Sequence, residues 1–91
     1  MNRNENLEKA FKRRYNRVVQ ISRKVVKGDG FIKAIVEIVS SKKKYILTDY
    51  MENGLTKYAL VDVDGKRYKF KTYLEAELFV ADSIGGEDGD N

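Results

Sequence analysis

From residue 31 onwards, hydrophobic and polar residues alternate with a period of two, as is typical of β-strands. Phe31–Val39 is the first segment with this pattern, and Tyr45–Tyr50, Lys57–Val63 and Lys66–Lys71 repeat it. The polar residues 40–43 predict a loop between the first two segments. The connections are short, so the pattern predicts antiparallel strands in meander order.

Two dipeptides, Asn53-Gly54 and Asp64-Gly65, predict tight turns between these strands. Such pairs are preferred in two-residue type I′ hairpins, which need a positive φ at both turn residues. The turn at residues 64–65 pairs Val61 with Tyr68. The turn at residues 53–54 pairs Glu52 with Leu55, and hence Thr48 with Ala59 and Ile46 with Val61.

In this register the sheet has one mainly apolar face and one more polar face. The predicted apolar face holds Ile46, Thr48, Ala59, Val61, Val63, Tyr68 and Phe70. The predicted opposite face holds Tyr45, Leu47, Asp49, Tyr58, Leu60, Asp62, Arg67, Lys69 and Lys71. Because the side-chain period in a strand is two, a slip of one residue would exchange the faces.

The N-terminal segment has a helical period. Leu7, Ala10, Phe11 and Tyr15 are spaced by three or four residues, which predicts an amphipathic helix to about residue 16. Residues 17–27 allow two interpretations. Their β-branched valines favour a strand that turns at residues 28–30, and the alternative is a helix that continues to Lys27.

The C-terminal segment predicts a second helix, packed on the sheet. Thr72 and Glu75 have the spacing of a capping box, and mainly apolar residues follow up to Ile84. Gly85-Gly86 should end this helix. We therefore expect an α+β fold with an N-terminal amphipathic helix, a four- to five-stranded antiparallel meander sheet and a C-terminal helix. Residues 1–84 would form a single domain, and residues 85–91 a disordered acidic tail.

The composition argues against catalysis. The chain of 91 residues contains no histidine and no cysteine, which removes the commonest general base, the commonest metal ligand and the thiolate nucleophile. We expect a non-enzymatic protein without cofactor, metal or small-molecule substrate. The polar N-terminal residues and the lack of a long apolar segment predict a cytoplasmic protein that does not enter membranes. Abundant Lys, Asn, Ile and Tyr suggest an AT-rich genome, such as that of a low-GC bacterium or its phage.

Charge is sorted along the chain. Residues 1–27 carry nine Lys or Arg and two acids, whereas residues 72–91 carry six acids and no base. Such polarity steers association with an oppositely charged surface. The predicted binding residues are the cations of the N-terminal half, with a lysine cluster in the loop as an auxiliary patch: Lys12, Arg13, Arg14, Arg17, Arg23 and Lys24, and then Lys42, Lys43 and Lys44.

Two functions fit these features. The first is a small protein-binding module that regulates or inhibits a larger cellular machine by contacting an acidic protein surface. The alternative is DNA or RNA binding, with the basic N-terminal segment holding phosphates and the sheet stacking bases. That alternative uses aromatic and basic residues of the predicted polar face: Tyr45, Tyr58, Arg67, Lys69 and Lys71.

Overall fold

The computed structural model describes Lys9, residues 20–40 and residues 42–86. These residues form a five-stranded antiparallel sheet, in the order β1-β2-β3-β4-β5, and one helix. The elements are β1 (Gln20–Gly28), β2 (Phe31–Val39), β3 (Lys44–Glu52), β4 (Leu55–Val63), β5 (Lys66–Phe70) and α1 (Tyr73–Gly86). Every strand pairs with the strand next to it in the sequence, as the short connections predict.

The predicted fold class needs correction at the N-terminus. It included an N-terminal helix, but the sheet and α1 are all the secondary structure found in residues 20–40 and 42–86. The residues predicted to form that helix lie, apart from Lys9, outside the described part of the chain. Of the two interpretations of residues 17–27, the strand is correct from residue 20 onwards, because β1 pairs with β2 along its whole length.

Both predicted type I′ turns are confirmed. Asn53 and Gly54 have φ values of 54° and 79°, and Asp64 and Gly65 have values of 54° and 75°. Positive φ at both positions matches the twist of the flanking strands. The second turn sets the predicted register of β4 and β5, in which Val61 pairs with Tyr68.

The register between β3 and β4 differs from the prediction. Met51 pairs with Thr56, but Tyr50 pairs with Tyr58, so that Lys57 has no partner on β3. This extra residue is a β-bulge, and it reverses the side-chain alternation of one strand relative to its neighbour. As a result, the predicted pairing of Thr48 with Ala59 is wrong by one residue.

The bulge changes which side chains of β3 enter the core. Tyr45 and Leu47 are 1% and 0% exposed, whereas Ile46 and Thr48 were predicted to lie on that face. Ile46 and Thr48 lie on the opposite side of the sheet instead, in line with Asp62 and Leu60. This register buries Tyr45 and Leu47 in place of Ile46 and Thr48. It is favourable because burying a side chain of leucine size contributes about 1.5–3 kcal/mol.

Helix α1 packs on β3, β4 and β5. Its inner face consists of Ala76, Val80 and Ile84, which are spaced by four residues and fully buried. They contact a cluster of buried strand residues: Val36, Ile38, Tyr45, Leu47, Ala59 and Val61. The C-terminal helix is thus predicted correctly, and it covers one face of the sheet.

The start of α1 has the predicted capping box. The Thr72 hydroxyl accepts a hydrogen bond from the Glu75 amide at 3.2 Å, and Glu75 Oε1 accepts one from the Thr72 amide at 3.2 Å. Both amides belong to the N-terminal groups that have no partner inside the helix. The helix extends through Gly85 and Gly86, beyond its predicted end at Ile84. The rest of the predicted acidic tail, residues 87–91, lies outside the described residues. In the part of the chain that the structure describes, no helix is long and apolar enough to cross a membrane.

Candidate functional site

The side of the sheet turned away from α1, which we call the distal face, carries an unusual mixture of side chains. Residues paired across antiparallel strands lie on the same face, so the pairing defines its members. Its central part combines aromatic, aliphatic and charged residues: Lys24, Phe31, Lys33, Ile35, Glu37, Ile46, Thr48, Tyr50, Glu52, Tyr58, Leu60, Asp62, Arg67 and Lys69.

Three aromatic rings form a ladder across the middle strands of the distal face. The Phe31 and Tyr50 ring centroids are 5.5 Å apart with an interplanar angle of 13°. The Tyr50 and Tyr58 centroids are 5.0 Å apart with an angle of 6°. These separations are close to the spacing of neighbouring strands, so the nearly parallel rings follow one another across β2, β3 and β4.

Both ends of the ladder are covered. At the β1 end, Phe31 fills the space above Gly28, since a Cβ at residue 28 would lie 2.1 Å from Phe31 Cε1. At the β5 end, Lys69 Nζ lies 4.7 Å from the centroid of Tyr58. Tyr50 stands between its two neighbouring rings. The ladder is therefore a continuous ridge from β1 to β5 in which each ring has a neighbour on both sides.

Two lysines of this ridge have no acidic partner in the part of the chain that the structure describes. Lys33 Nζ lies 5.7 Å from the Phe31 centroid and 5.9 Å from the Tyr50 centroid, and Lys69 covers Tyr58. Each cation–π contact at an exposed site contributes about 0.5–1 kcal/mol. Within the described residues, neither lysine forms an ion pair. Their positive charge is thus available to an acidic group outside the sheet.

Other charges of the distal face are paired within the chain. Arg67 donates two hydrogen bonds to Asp62, at 2.7 and 3.3 Å, and this contact raises the pKa of the guanidinium. Lys44 Nζ lies 3.7 Å from Glu37. These pairs are largely exposed and therefore contribute little to stability. Because each pair is neutral, the positive charge of the ridge comes mainly from Lys33 and Lys69.

The Tyr50 hydroxyl donates a hydrogen bond to Glu52 Oε2 at 3.2 Å. Partial burial first, and then this hydrogen bond and the negative charge of Glu52, raise the pKa of Tyr50 above its ordinary value of 10.0. Glu52 is also paired with Lys57, the bulged residue, at 3.3 Å. The bulge and the middle ring of the ladder are thus linked through one carboxylate.

The predicted N-terminal binding residues are only partly visible. Lys12, Arg13, Arg14 and Arg17 lie outside the described residues. Arg23 and Lys24 are consecutive in β1 and so project from opposite faces of the sheet. The structure therefore does not bring these two cations together on one surface.

The predicted lysine patch lies at the far end of the sheet, in and beside the loop between β2 and β3. Lys42, Lys43 and Lys44 are all exposed. Lys43 pairs with Asp64 at 2.8 Å, and Lys44 pairs with Glu37. The patch is thus partly neutralised by acids of the chain itself.

The residues predicted for stacking and phosphate binding are divided by the corrected register. Tyr45 is buried beneath α1, so its predicted place on the polar face is wrong. Tyr58, Arg67 and Lys69 lie on the distal face as predicted, and Lys71 follows the end of β5 and is exposed.

Sequence reasoning missed three members of the ridge. Phe31 and Lys33 alternate along β2, a pattern that placed them on one face but did not connect them to another strand. Tyr50 was not assigned because the bulge at Lys57 decides its face. A search for aromatic residues near hairpin ends could have suggested Phe31 and Tyr50, but their stacking depends on the register.

No group of three or more His, Cys, Asp or Glu side chains in residues 20–40 and 42–86 could hold a metal ion. A shallow depression lies where two hairpin turns meet, and its lining includes Lys27, Ile32 and Met51. No family model, curated protein or solved structure shows a significant match to this chain.

Proposed function

We propose that the chain is a non-enzymatic protein-binding module and that the ridge of the distal face is its docking surface. The observation that carries the proposal is the ladder of Phe31, Tyr50 and Tyr58, flanked by Lys33 and Lys69. Aromatic residues are enriched at the centres of protein interfaces, where they contribute much of the binding energy. The lysine charges favour a partner whose surface presents carboxylates beside an apolar patch.

The geometry of the rings favours a protein partner over a nucleic acid. Proteins that bind single strands stack bases on accessible ring faces. Here Tyr50 lies between two rings, and Tyr58 lies between Tyr50 and Lys69, so a base could stack only after the ladder had opened.

A rigid ridge suits recognition of a preformed surface. Parallel rings packed on a sheet lose little conformational entropy when a partner binds, because they are already ordered. A small module of this kind would act by occupying a site on a larger protein. Regulation or inhibition of a larger assembly is therefore the role that we propose.

The proposal is tested by nuclease-treated affinity purification from the source cells with matched charge variants. The test variant is the double substitution Lys33→Glu and Lys69→Glu on the distal face. The control is Lys66→Glu with Lys71→Glu, which changes the net charge equally. Both control lysines are exposed, Lys66 at the start of β5 on the other face of the sheet and Lys71 beyond the end of β5, and neither has an ion pair within the described residues.

We expect a stoichiometric complex that survives nuclease, is retained by the control and is lost with the test variant. A complex that both variants retain equally would show that the docking surface lies elsewhere. A complex that nuclease abolishes would replace the protein partner with a nucleic acid.

A further inference from the structure

Strand β1 forms the long edge of the sheet. It pairs with β2 over nine residues, from Gln20 to Gly28, without a register shift, whereas β5, at the other edge, has only five residues. A long and regular edge strand presents backbone N–H and C=O groups to which another chain can hydrogen bond. β1 contains no proline and no bulge that would prevent such pairing.

The hairpin register shows which β1 amides face outward. The two-residue turn after Gly28 closes a hydrogen-bonded pair with Phe31, so the amides of Gly28, Val26 and Lys24 point to β2. Those of Arg23, Val25 and Lys27 point away from the sheet. Within the described residues these three outward amides have no hydrogen-bond partner.

The side chains in this part of β1 are also incompletely covered. Val25 and Val26 are 52% and 36% exposed, although they are β-branched residues on opposite faces of the strand. A further strand beside β1 would bring cross-strand neighbours to both residues. Within the described residues, the middle of β1 therefore has cross-strand neighbours on the β2 side only, and its outward amides have no hydrogen-bond partners.

The charge of β1 indicates what kind of strand fits. β1 contains Arg23, Lys24 and Lys27 and no acid, and none of the three forms an ion pair within the described residues. One nitrogen of Arg23, Nη2, is buried and has no hydrogen-bond partner among the residues that the structure describes. A second copy of β1 would bring like charges together, which is unfavourable across strands. An acidic segment would supply the missing carboxylates.

We propose that the edge of β1 between Arg23 and Lys27 binds an extended acidic segment of a partner protein by strand addition. Main-chain hydrogen bonds would supply affinity, and carboxylates facing the three cations would supply selectivity. This inference rests on the proposed protein-binding function and assigns one element of the partner, an acidic β-strand that continues the sheet beside the distal face.

The first test uses a labelled synthetic peptide of glutamate, valine and threonine, as long as β1 and with glutamates on both faces of its extended form. The control peptide has glutamine in place of each glutamate. Fluorescence anisotropy with the full chain should show binding of the acidic peptide about tenfold tighter than that of the control. The double substitution Arg23→Glu and Lys27→Glu should abolish this preference. Equal binding of the two peptides would overturn the proposal.

A second test addresses the backbone. Val25→Pro removes an outward amide but no bond to β2, a position at which edge strands accept proline, and it should weaken binding of the acidic peptide about tenfold. Val25→Thr is the control that keeps the amide. If Val25→Pro does not fold, amide hydrogen exchange of the natural chain decides. The Val25 amide should exchange rapidly in the free protein and slowly with the peptide, and protection in the free protein would show that the edge is already occupied.

The experiments distinguish a failure of the distal-face proposal from a failure of the strand-addition proposal. If Val25→Pro retains the nuclease-resistant complex and Lys33→Glu with Lys69→Glu loses it, the distal face is correct and strand addition is wrong. If the acidic peptide protects the Val25 amide while Lys33→Glu with Lys69→Glu retains the complex, the edge is correct and the distal face is wrong.

Discussion

The ring of Phe31 occupies the space above Gly28 in which any other residue would carry its side chain, because a Cβ at residue 28 would lie 2.1 Å from Phe31 Cε1. Glycine is normally unfavourable inside a strand, since it adds backbone entropy to the unfolded chain and packs no side chain. At this position the neighbouring strand supplies the missing apolar group. The pair anchors the β1 end of the aromatic ladder.

Gly28→Ala should therefore destabilise the protein, although alanine would lower the entropy of the unfolded chain. The added methyl group has to displace the Phe31 ring, and overpacking of this kind costs about 1–3 kcal/mol. Urea denaturation measures the free energy of unfolding. Gly86→Ala is the control, because nothing lies within 4 Å of its Cβ position, and it should leave stability unchanged or raise it by up to about 1 kcal/mol. Equal stability of the two variants would show that Phe31 does not occupy this space.

The β3 register predicts that alanine substitutions at two adjacent residues, Ile46 and Leu47, reduce the free energy of unfolding by very different amounts. Leu47 is fully buried under α1, so Leu47→Ala should cost about 2–5 kcal/mol. Ile46 is only half-buried on the distal face, and Ile46→Ala should cost clearly less. Thermal or urea unfolding of the two variants measures the difference. A larger loss of stability for Ile46→Ala than for Leu47→Ala would instead support the register without a bulge, in which Ile46 belongs to the core.

The capping box gives a prediction about α1 alone. Thr72→Ala removes the hydroxyl that accepts a hydrogen bond from the Glu75 amide. Loss of such a cap lowers the free energy of unfolding by about 0.5–2 kcal/mol. Ser83 also bonds within the helix, where its hydroxyl donates to the Phe79 carbonyl at 2.8 Å, but that carbonyl already belongs to the helical backbone. Ser83→Ala should therefore change the free energy of unfolding by less than about 0.5 kcal/mol. The cap would have no role if both variants unfolded at the same denaturant concentration.

Alkaline pH should act on the middle ring of the ladder. The pKa of Tyr50 is raised above 10.0 by partial burial, and further by Glu52, so the folded state holds this proton more tightly than the unfolded state does. The resulting contribution to stability is fully present below the unfolded pKa and is lost as the pH rises through the folded pKa.

Tyrosinate absorbance measures this effect when the natural chain is compared with Tyr50→Phe, since the difference isolates one of the six tyrosines. Glu52→Gln should lower the pKa of Tyr50, whereas Glu37→Gln, on another part of the same face, should leave it unchanged. A Tyr50 pKa that does not respond to Glu52→Gln would contradict the hydrogen bond between them.

Local signals predicted most of the described fold. The turns at Asn53-Gly54 and Asp64-Gly65 were predictable because a positive φ is a property of these residues themselves. The capping box was predictable because Thr72 and Glu75 satisfy amides only three residues apart. The β4–β5 register followed from its turn because no irregularity intervenes.

The face of β3 could not be derived in this way. The bulge at Lys57 depends on which side chains of β3 fit beneath α1, and that choice is made by tertiary packing. One extra residue moved Tyr45 into the core and Tyr50 onto the ladder. The sequence therefore predicted the kind of site correctly, as tyrosines and lysines on one face of a sheet. It misplaced Tyr45, however, and it did not identify Phe31, Lys33 and Tyr50.

The central claim is that the distal ridge contacts a protein partner. Its most direct measurement is the ring resonances of the tyrosines by NMR as the purified partner is added to the full chain. We predict that Tyr50 and Tyr58 shift or broaden, whereas Tyr68, which packs against Phe79 on the α1 side at 4.8 Å, does not respond. Complex formation that leaves Tyr50 and Tyr58 unchanged would contradict the claim.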